Sequence, residues 1–384
     1  MAPGVGGRKG RGTGYAVLAA LLLMLAVWVV RGCAYLPWNR EVPRGRVRIT
    51  VSRDFGRQVL RDLEVGSAGL SAMEALRRVA EVETSYGGGF ISSIDGLSSA
   101  YRGEGSRKED WFFYVNGQMA DVGAADYLLR EEDWVVFDYH SWERSLFTPV
   151  LAGCFPQLFL RGYPGAPTRC LVVYGKGLEE EAGKLVSALL EAGAVEVSTE
   201  PLEEIGDPTG RSASGEYSLI VAGDEELEVL AGWRQAVARA AVQGLFALPE
   251  GDGLVLLDEV GKEAGRLGGD WGLVTGLAPR LGEPGSALLV TGRGRGLGVA
   301  LEGLLRRCRE GDSRPLLAMA YDAEGAEIPL PCREVTSGQG PGASALIRLV
   351  GWGAAVLSPC LVGPGNPPAP MEMAPMEMGM ERGG

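Results

Sequence analysis

The chain has 384 residues, long enough for two or three domains, and is acidic, with 37 Lys and Arg against 49 Asp and Glu and a net charge of -12. That balance, with its arginines dispersed, argues against a nucleic-acid partner, which clustered cations would hold by displacing counterions. One histidine removes most imidazole chemistry, and six cysteines without a CxxC pair offer neither zinc spacing nor a disulfide framework. Cys154–Cys170 and Cys308–Cys332 are open pairings in an oxidising compartment; buried free thiols are the alternative.

Arg8, Lys9 and Arg11 precede an uncharged run from Tyr15 to Val30, which Arg31 closes. Its length lies between a signal h-region of roughly 7–15 residues and a membrane span of about 17–25. The segment is expected to be a membrane anchor or an export signal, with the early basic residues keeping the terminus inside. The bulk of the chain is then extracytoplasmic: single-pass, or secreted if the segment is cleaved. Cys33 stands where a lipidated cysteine would stand, although Arg31 suits that site poorly. Residues 31–45 read as a linker.

Residues 46–142 read as the first folded unit. Arg46 to Val51 alternates as a half-buried strand does, and a second strand is expected at Gln58–Val65. Ser71 and Glu74 make a capping box ahead of Met73, Leu76, Val79 and Ala80, so a helix is predicted over 71–82. Phe90 to Ile94 is a strand turned by Asp95-Gly96. Trp111 to Val115 is another, followed by Asn116-Gly117, the strongest short hairpin signal. Trp134 to Tyr139 is the last strand. The order strand, strand, helix, then several strands suits a sheet packed on one helix.

The residues Gly89, Phe90, Ile94, Gly96, Trp111, Asn116, Gly117, Gly123, Ala124, Tyr127, Asp133, Ser141 and Trp142 carry a resemblance. The segment resembles the C-terminal β-grasp domain of the transcobalamin and intrinsic factor family, and most of all its bacterial branch of unknown function. Glu132 departs from the pattern, which has Gly there, and the helical barrel that completes the carriers' cleft is not recognisable in this chain. The resemblance implies a ligand-binding domain with cobalamin or a related corrinoid as ligand. By position it nominates Phe90, Ile91, Asp121, Val122, Gly123 and Trp142 as ligand-facing. Alternation puts one of Phe90 and Ile91 in the core and the other outside. A flat macrocycle would gain from aromatic and aliphatic contact, with backbone groups meeting its polar fringe. His140 invites a metal story, yet a lone strand histidine is more often structural, and no metal site is expected.

Residues 143–168, with four prolines, read as a connector, and residues 169–335 as an α/β domain. Strands are expected at Cys170–Tyr174, Val195–Val197, Ser218–Val221, Gly253–Leu257 and Ala287–Val290. Helices are expected over Glu179–Ala192, Leu227–Leu245 and Val299–Arg307, implying a largely parallel sheet. Thr291 to Gly298 sits where a phosphate loop would, but Leu297 breaks GxGxxG and no Gly-Lys-Ser/Thr follows. A tight strand-to-helix turn is the plainer reading, with Arg293 and Arg295 as the residues an anion would meet. Residues 336–384, rich in Gly, Pro and Met, read as a partly disordered tail.

The fold class expected is therefore an α+β β-grasp domain followed by an α/β domain, behind an anchor or signal. The function expected is ligand binding at the outer membrane face, with cobalamin as partner and an uptake transporter as recipient. The alternative is an envelope structural or interaction protein whose β-grasp domain binds protein or glycan. No enzymatic activity and no cofactor are expected, because no nucleophile set can be built around His140.

Overall fold

The computed structural model describes residues 45–66, 69–85, 90–101, 106–163, 169–209, 216–278, 286–310 and 314–333. The expected anchor segment, Cys33 and the tail lie outside these residues. Among the described residues no helix is long and apolar enough to cross a membrane. The fold is mixed α+β and rich in sheet.

The first half builds strands β1 (Arg46–Arg53) and β2 (Gln58–Gly66), helix α1 (Ala72–Val79), strands β3 (Val82–Ser85), β4 (Phe90–Ile94) and β5 (Leu97–Ser98), then β6 (Glu109–Val115), β7 (Gln118–Met119) and β8 (Trp134–Ser141). Five of these strands form one sheet in the order β2-β1-β8-β6-β7. Its central pair, β1 and β8, is parallel and the other neighbours are antiparallel. Strands β3 to β5 form a small antiparallel sheet of their own. The capping box forms as expected: Ser71 Oγ accepts the Glu74 N–H at 3.2 Å, and the Glu74 carboxylate accepts the Ser71 N–H at 2.7 Å. The helix stops earlier than its apolar spacing suggested, because Ala80 is already extended and leads into β3. Asn116 and Gly117 both take positive φ, 52° and 88°, and turn β6 into β7.

Strand β8 is buried on both faces from Trp134 to His140. Val135, Phe137 and Tyr139 join Trp111, Val115 and the buried side of α1 in one core. Trp134 and Val136 join Phe112 and Tyr114 in a second core, which runs on into Leu171, Ile220 and Leu289 of the second half. The continuous apolar run of β8 is thus a doubly covered strand.

The connecting segment is not an exposed linker. Phe147, Val150, Leu151, Cys154, Phe155, Leu158 and Phe159 are buried. A 3-10 turn (Ala152–Cys154) and the short helix α2 (Gln157–Arg161) carry Cys154, Leu158 and Phe159. Of the prolines that suggested a connector, Pro149 and Pro156 lie in and beside these packed turns, and Phe155-Pro156 is cis. Residues on both sides of the segment share cores, so the described residues form one compact unit.

The second half holds strands β9 (Arg169–Tyr174), β10 (Glu196–Pro201) and β11 (Glu216–Gly223), then β12 (Ala247–Glu250), β13 (Gly253–Leu257) and β14 (Glu263–Leu267), and finally β15 (Trp271–Leu277), β16 (Ala287–Arg293), β17 (Ala318–Tyr321) and β18 (Glu327–Leu330). Its helices are α3 (Glu179–Glu191), α4 (Leu202–Ile205), α5 (Ala231–Ala238) and α6 (Gly296–Glu310). Seven strands order as β10-β9-β11-β16-β15-β17-β18. The first four are parallel, as expected, but β15, β17 and β18 are antiparallel, so the sheet is mixed. Gly253–Leu257 pairs instead with β12 and β14 in a separate antiparallel sheet. The helix expected over Leu227–Leu245 is a 3-10 turn (Asp224–Val229) followed by the shorter α5, the two meeting at Leu230. Cys154, Cys170, Cys308 and Cys332 are free. Neither suggested pairing forms, since Cys154 and Cys332 lie in one core while Cys170 and Cys308 belong to the other.

Candidate functional site

The residues that carry the family resemblance mostly hold the fold together. Asp133 is buried and accepts from Asn116 Nδ2 at 2.9 Å, the Arg130 N–H at 2.9 Å and the Tyr127 hydroxyl at 3.2 Å. Asn116 in turn donates to the Gly162 carbonyl at 2.8 Å and accepts the Trp134 N–H at 2.8 Å. Burial, and next the neighbouring Asp133 carboxylate, raise the Tyr127 phenol well above its ordinary value, which keeps it a donor. Glu132 takes a φ of 64°, a left-handed position that glycine adopts without strain. Its departure from the pattern therefore falls on a turn.

His140 is likewise built in. Its ring stacks between Phe55 at 4.4 Å and Phe112 at 4.1 Å, and Nδ1 lies 2.7 Å from Asp138 Oδ2. Asp138 also accepts from Ser52 Oγ at 2.6 Å and from the Gly56 N–H at 3.0 Å. Asp54, Phe55 and Gly56 all have positive φ, at 61°, 58° and 78°, and this turn drives Phe55 into the shared core beside Phe246. Among the described residues no group of three or more His, Cys, Asp or Glu could hold a metal ion.

Of the six nominated residues, Ile91 points into the core beneath α1, whereas Phe90 is 39% exposed. Asp121 is exposed, Val122 is 44% exposed, and Gly123 is partly buried, all in the loop after β7. The Gly123 carbonyl accepts the Asp126 N–H at 2.9 Å, and the next carbonyl, Ala124, accepts the Met73 N–H at 2.9 Å, so the loop is tied to the start of α1. Trp142 is half-buried. Its N–H donates to the Lys108 carbonyl at 2.7 Å, its ring meets Tyr101 edge-on at 4.9 Å, and Lys108 Nζ lies 5.6 Å from it. It packs against the core shared with the second half, not the one that holds Ile91. The structure therefore divides the nominated residues: Ile91 lies in the core beneath α1, Phe90 faces out from β4, the loop Asp121–Gly123 runs into the residue that holds the start of α1, and Trp142 packs on the core shared with the second half.

Sequence reasoning missed Tyr163. Its phenol oxygen accepts the Asp121 N–H at 3.0 Å and its hydroxyl donates to the Asp121 carboxylate. The ring stacks on Tyr127 at 5.9 Å, almost parallel at 9°. Burial raises its phenol, and hydrogen bonding with Asp121 raises it further. Nothing in the pattern around Tyr163 marks it, because its partner lies 42 positions upstream.

The glycine-rich turn before α6 is a packing device. A Cβ on Gly292 or Gly296 would strike the backbone of Trp271. Arg295 meets Asp270 at 2.8 Å and Arg293 lies 3.7 Å from Asp224, so both arginines face carboxylates of the chain itself. Among the described cavities, the largest is a shallow groove of about 710 Å³ that includes Lys184, Glu302, Arg306 and Glu324. None of the described cavities is lined by a nominated residue.

Residues 69–141 match DUF4430, a domain of unknown function. Among solved structures, the chain is similar to a protein of Ruminococcus gnavus described as a candidate metal-binding protein. The identity is 17%, the TM-score 0.21, and the match covers 25% of this chain and 97% of that one. It is also similar to haptocorrin in complex with Cbi, at 14% identity and a TM-score of 0.21, covering 26% of each chain. The match thus spans about a quarter of haptocorrin. No curated protein matches the chain in sequence.

Proposed function

We propose that the chain is a ligand-binding protein whose first half is a β-grasp domain presenting a site at its rim. The β-grasp reading rests on the order β2-β1-β8-β6-β7 with a parallel central pair and one capping helix. The observation that carries the site is the loop Asp121–Gly123. It is bound to Tyr163 and runs into Ala124, whose carbonyl holds the start of α1, yet it keeps the Val122 side chain 44% exposed. Apolar surface held outward by a fixed backbone is surface available for recognition. Phe90 adds an exposed aromatic on the same half of the chain, and Trp142 a half-buried one beside Lys108.

Cobalamin or a related corrinoid is the ligand this reading favours, because the motif residues resemble those of the carrier family and the exposed groups suit a flat, amide-fringed macrocycle. The basic residues and apolar run of the N-terminal segment support a site outside the membrane, where an uptake transporter would receive the ligand. Spectral titration of the full chain with cyanocobalamin tests this reading. Saturable binding is expected, and none below about 1 mM, roughly −4 kcal/mol, would refute it.

One observation favours the second reading, an envelope protein that binds protein or glycan. Both faces of the five-stranded sheet are covered around β8, and no described cavity includes the nominated residues. Exposed rims on a covered sheet suit a broad surface contact. In neither reading does the site supply a catalytic group.

A further inference from the structure

The loop Asp121–Gly123 is held by a residue that lies after the β-grasp strands, and that residue is held by the second sheet. Tyr163 receives the Asp121 N–H and donates to the Asp121 carboxylate. The backbone of Tyr163 is fixed in turn by one side chain of β11. Tyr217 Oη accepts the Tyr163 N–H at 2.8 Å and donates to the Tyr163 carbonyl at 2.7 Å. Tyr217 is 4% exposed and packs with Cys170, Leu219 and Leu288 in the core of the seven-stranded sheet. Tyr163 is 9% exposed and belongs to the core beneath α1. Each tyrosine thus sits in a different core, and the two hydrogen bonds between them join one core to the other.

We infer that Tyr163 is the positioning residue of the candidate ligand loop, and that the second sheet sets the loop through Tyr217. The inference rests on the proposed ligand-binding reading and sharpens it. Asp121 serves the clamp and the Gly123 carbonyl serves the turn, so the Val122 side chain is the group the loop offers to a ligand. A ligand that contacts Val122 reads a loop whose geometry depends on both halves of the chain. Whatever shifts β11 then shifts the site.

Amide hydrogen exchange on the full chain tests the relay without any ligand. Tyr163→Phe keeps the ring on Tyr127 and the backbone bonds to Tyr217, but removes the bonds to Asp121. Tyr217→Phe removes the bonds to Tyr163 and touches nothing in the loop. Both variants are expected to speed exchange over residues 119–124 by about tenfold, the value of one or two lost hydrogen bonds. Strands β1 and β8 should keep their protection. Wild-type exchange at 119–124 in Tyr217→Phe would overturn the relay, because a purely local clamp would ignore that change. Acceleration spread equally over β1 and β8 would overturn it too, since that is loss of the fold and not release of a loop. Cyanocobalamin titration of the same variants separates relay from site. Binding that weakens in step with exchange supports both. Unchanged binding by a released loop retires Asp121–Gly123 as a contact and leaves the relay standing on the exchange data.

Discussion

Phe55→Ala removes the side chain that most directly joins the two halves. Phe55 is 1% exposed, stacks on His140 at 4.4 Å, meets Phe246 at 5.5 Å, and its carbonyl accepts the Leu317 N–H at 3.2 Å. Truncating a buried phenylalanine costs about 3–5 kcal/mol, part of it the loss of aromatic pairing worth roughly 0.5–1.5 kcal/mol per pair. The left-handed backbone is as unfavourable for Ala as for Phe, so no relief of strain offsets the loss. Because the residue belongs to a core shared by both sheets, the loss should reach both. Native-state exchange checks this with one peptide from β8 and one from β11, each expected to lose about 3–5 kcal/mol of protection. A loss under about 1 kcal/mol, or one confined to a single sheet, would refute the shared-core argument.

Three other perturbations follow from the same structure. Arg307 is 3% exposed and pairs with Glu327 at 2.8 Å, whose other oxygen accepts the Tyr321 hydroxyl at 3.1 Å. Glu327→Ala removes the carboxylate that a buried guanidinium faces and should cost about 3–5 kcal/mol in denaturant unfolding, and a loss below about 1 kcal/mol would contradict the pairing. Burial works to raise the pKa of Asp62, but the bidentate bond and charge of Arg48 and the Thr50 hydroxyl outweigh it and leave the carboxylate below its ordinary value. Its stabilisation is present above about pH 3.9 and is lost as pH falls through the folded value, so Asp62→Asn should flatten the acid limb of stability against pH; an unchanged limb would dismiss this pair as a source of acid sensitivity. Glu132→Gly relieves a left-handed residue and keeps the backbone carbonyl that Gln157 bonds, so it should raise unfolding stability by up to about 1 kcal/mol; a lowered stability would mean that the ion pair of Glu132 with Arg161 outweighs the strain.

The first half was legible because local signals and tertiary packing agree there. Ser71 and Glu74 cap the helix they were expected to cap, and Asn116-Gly117 makes the hairpin that its positive φ allows. The second half was legible where apolar runs are continuous, as in β9, β11 and β16, and where they are periodic, as in α3 and α6. Trp271–Leu277 escaped notice because Gly272 and Gly276 break its strand pattern. Both are required by close approach, Gly272 beneath the start of α6 and Gly276 against Val150. The prolines of residues 143–168 suggested a solvated connector, but the apolar residues between them decide the outcome by entering both cores.

At the site, alternation separated Phe90 from Ile91 but could not say which faced outward. The parity of the strand against its partners fixes that, and partners are set by the fold. The motif residues Asn116, Tyr127 and Asp133 stood out in the sequence because a turn needs them, not because a ligand does. Tyr163 and Tyr217 carried no signal at all. Their effect depends on contacts 42 and 54 residues apart in the chain, which no local window contains.

The claim that the β-grasp rim is a ligand site is tested most directly by hydrogen exchange of the full chain with and without saturating cyanocobalamin. Bound ligand should slow exchange over residues 119–124 and at the start of β4, while β1 and β8, already covered on both faces, stay unchanged. Protection at the groove beside α6, or none anywhere, would contradict it.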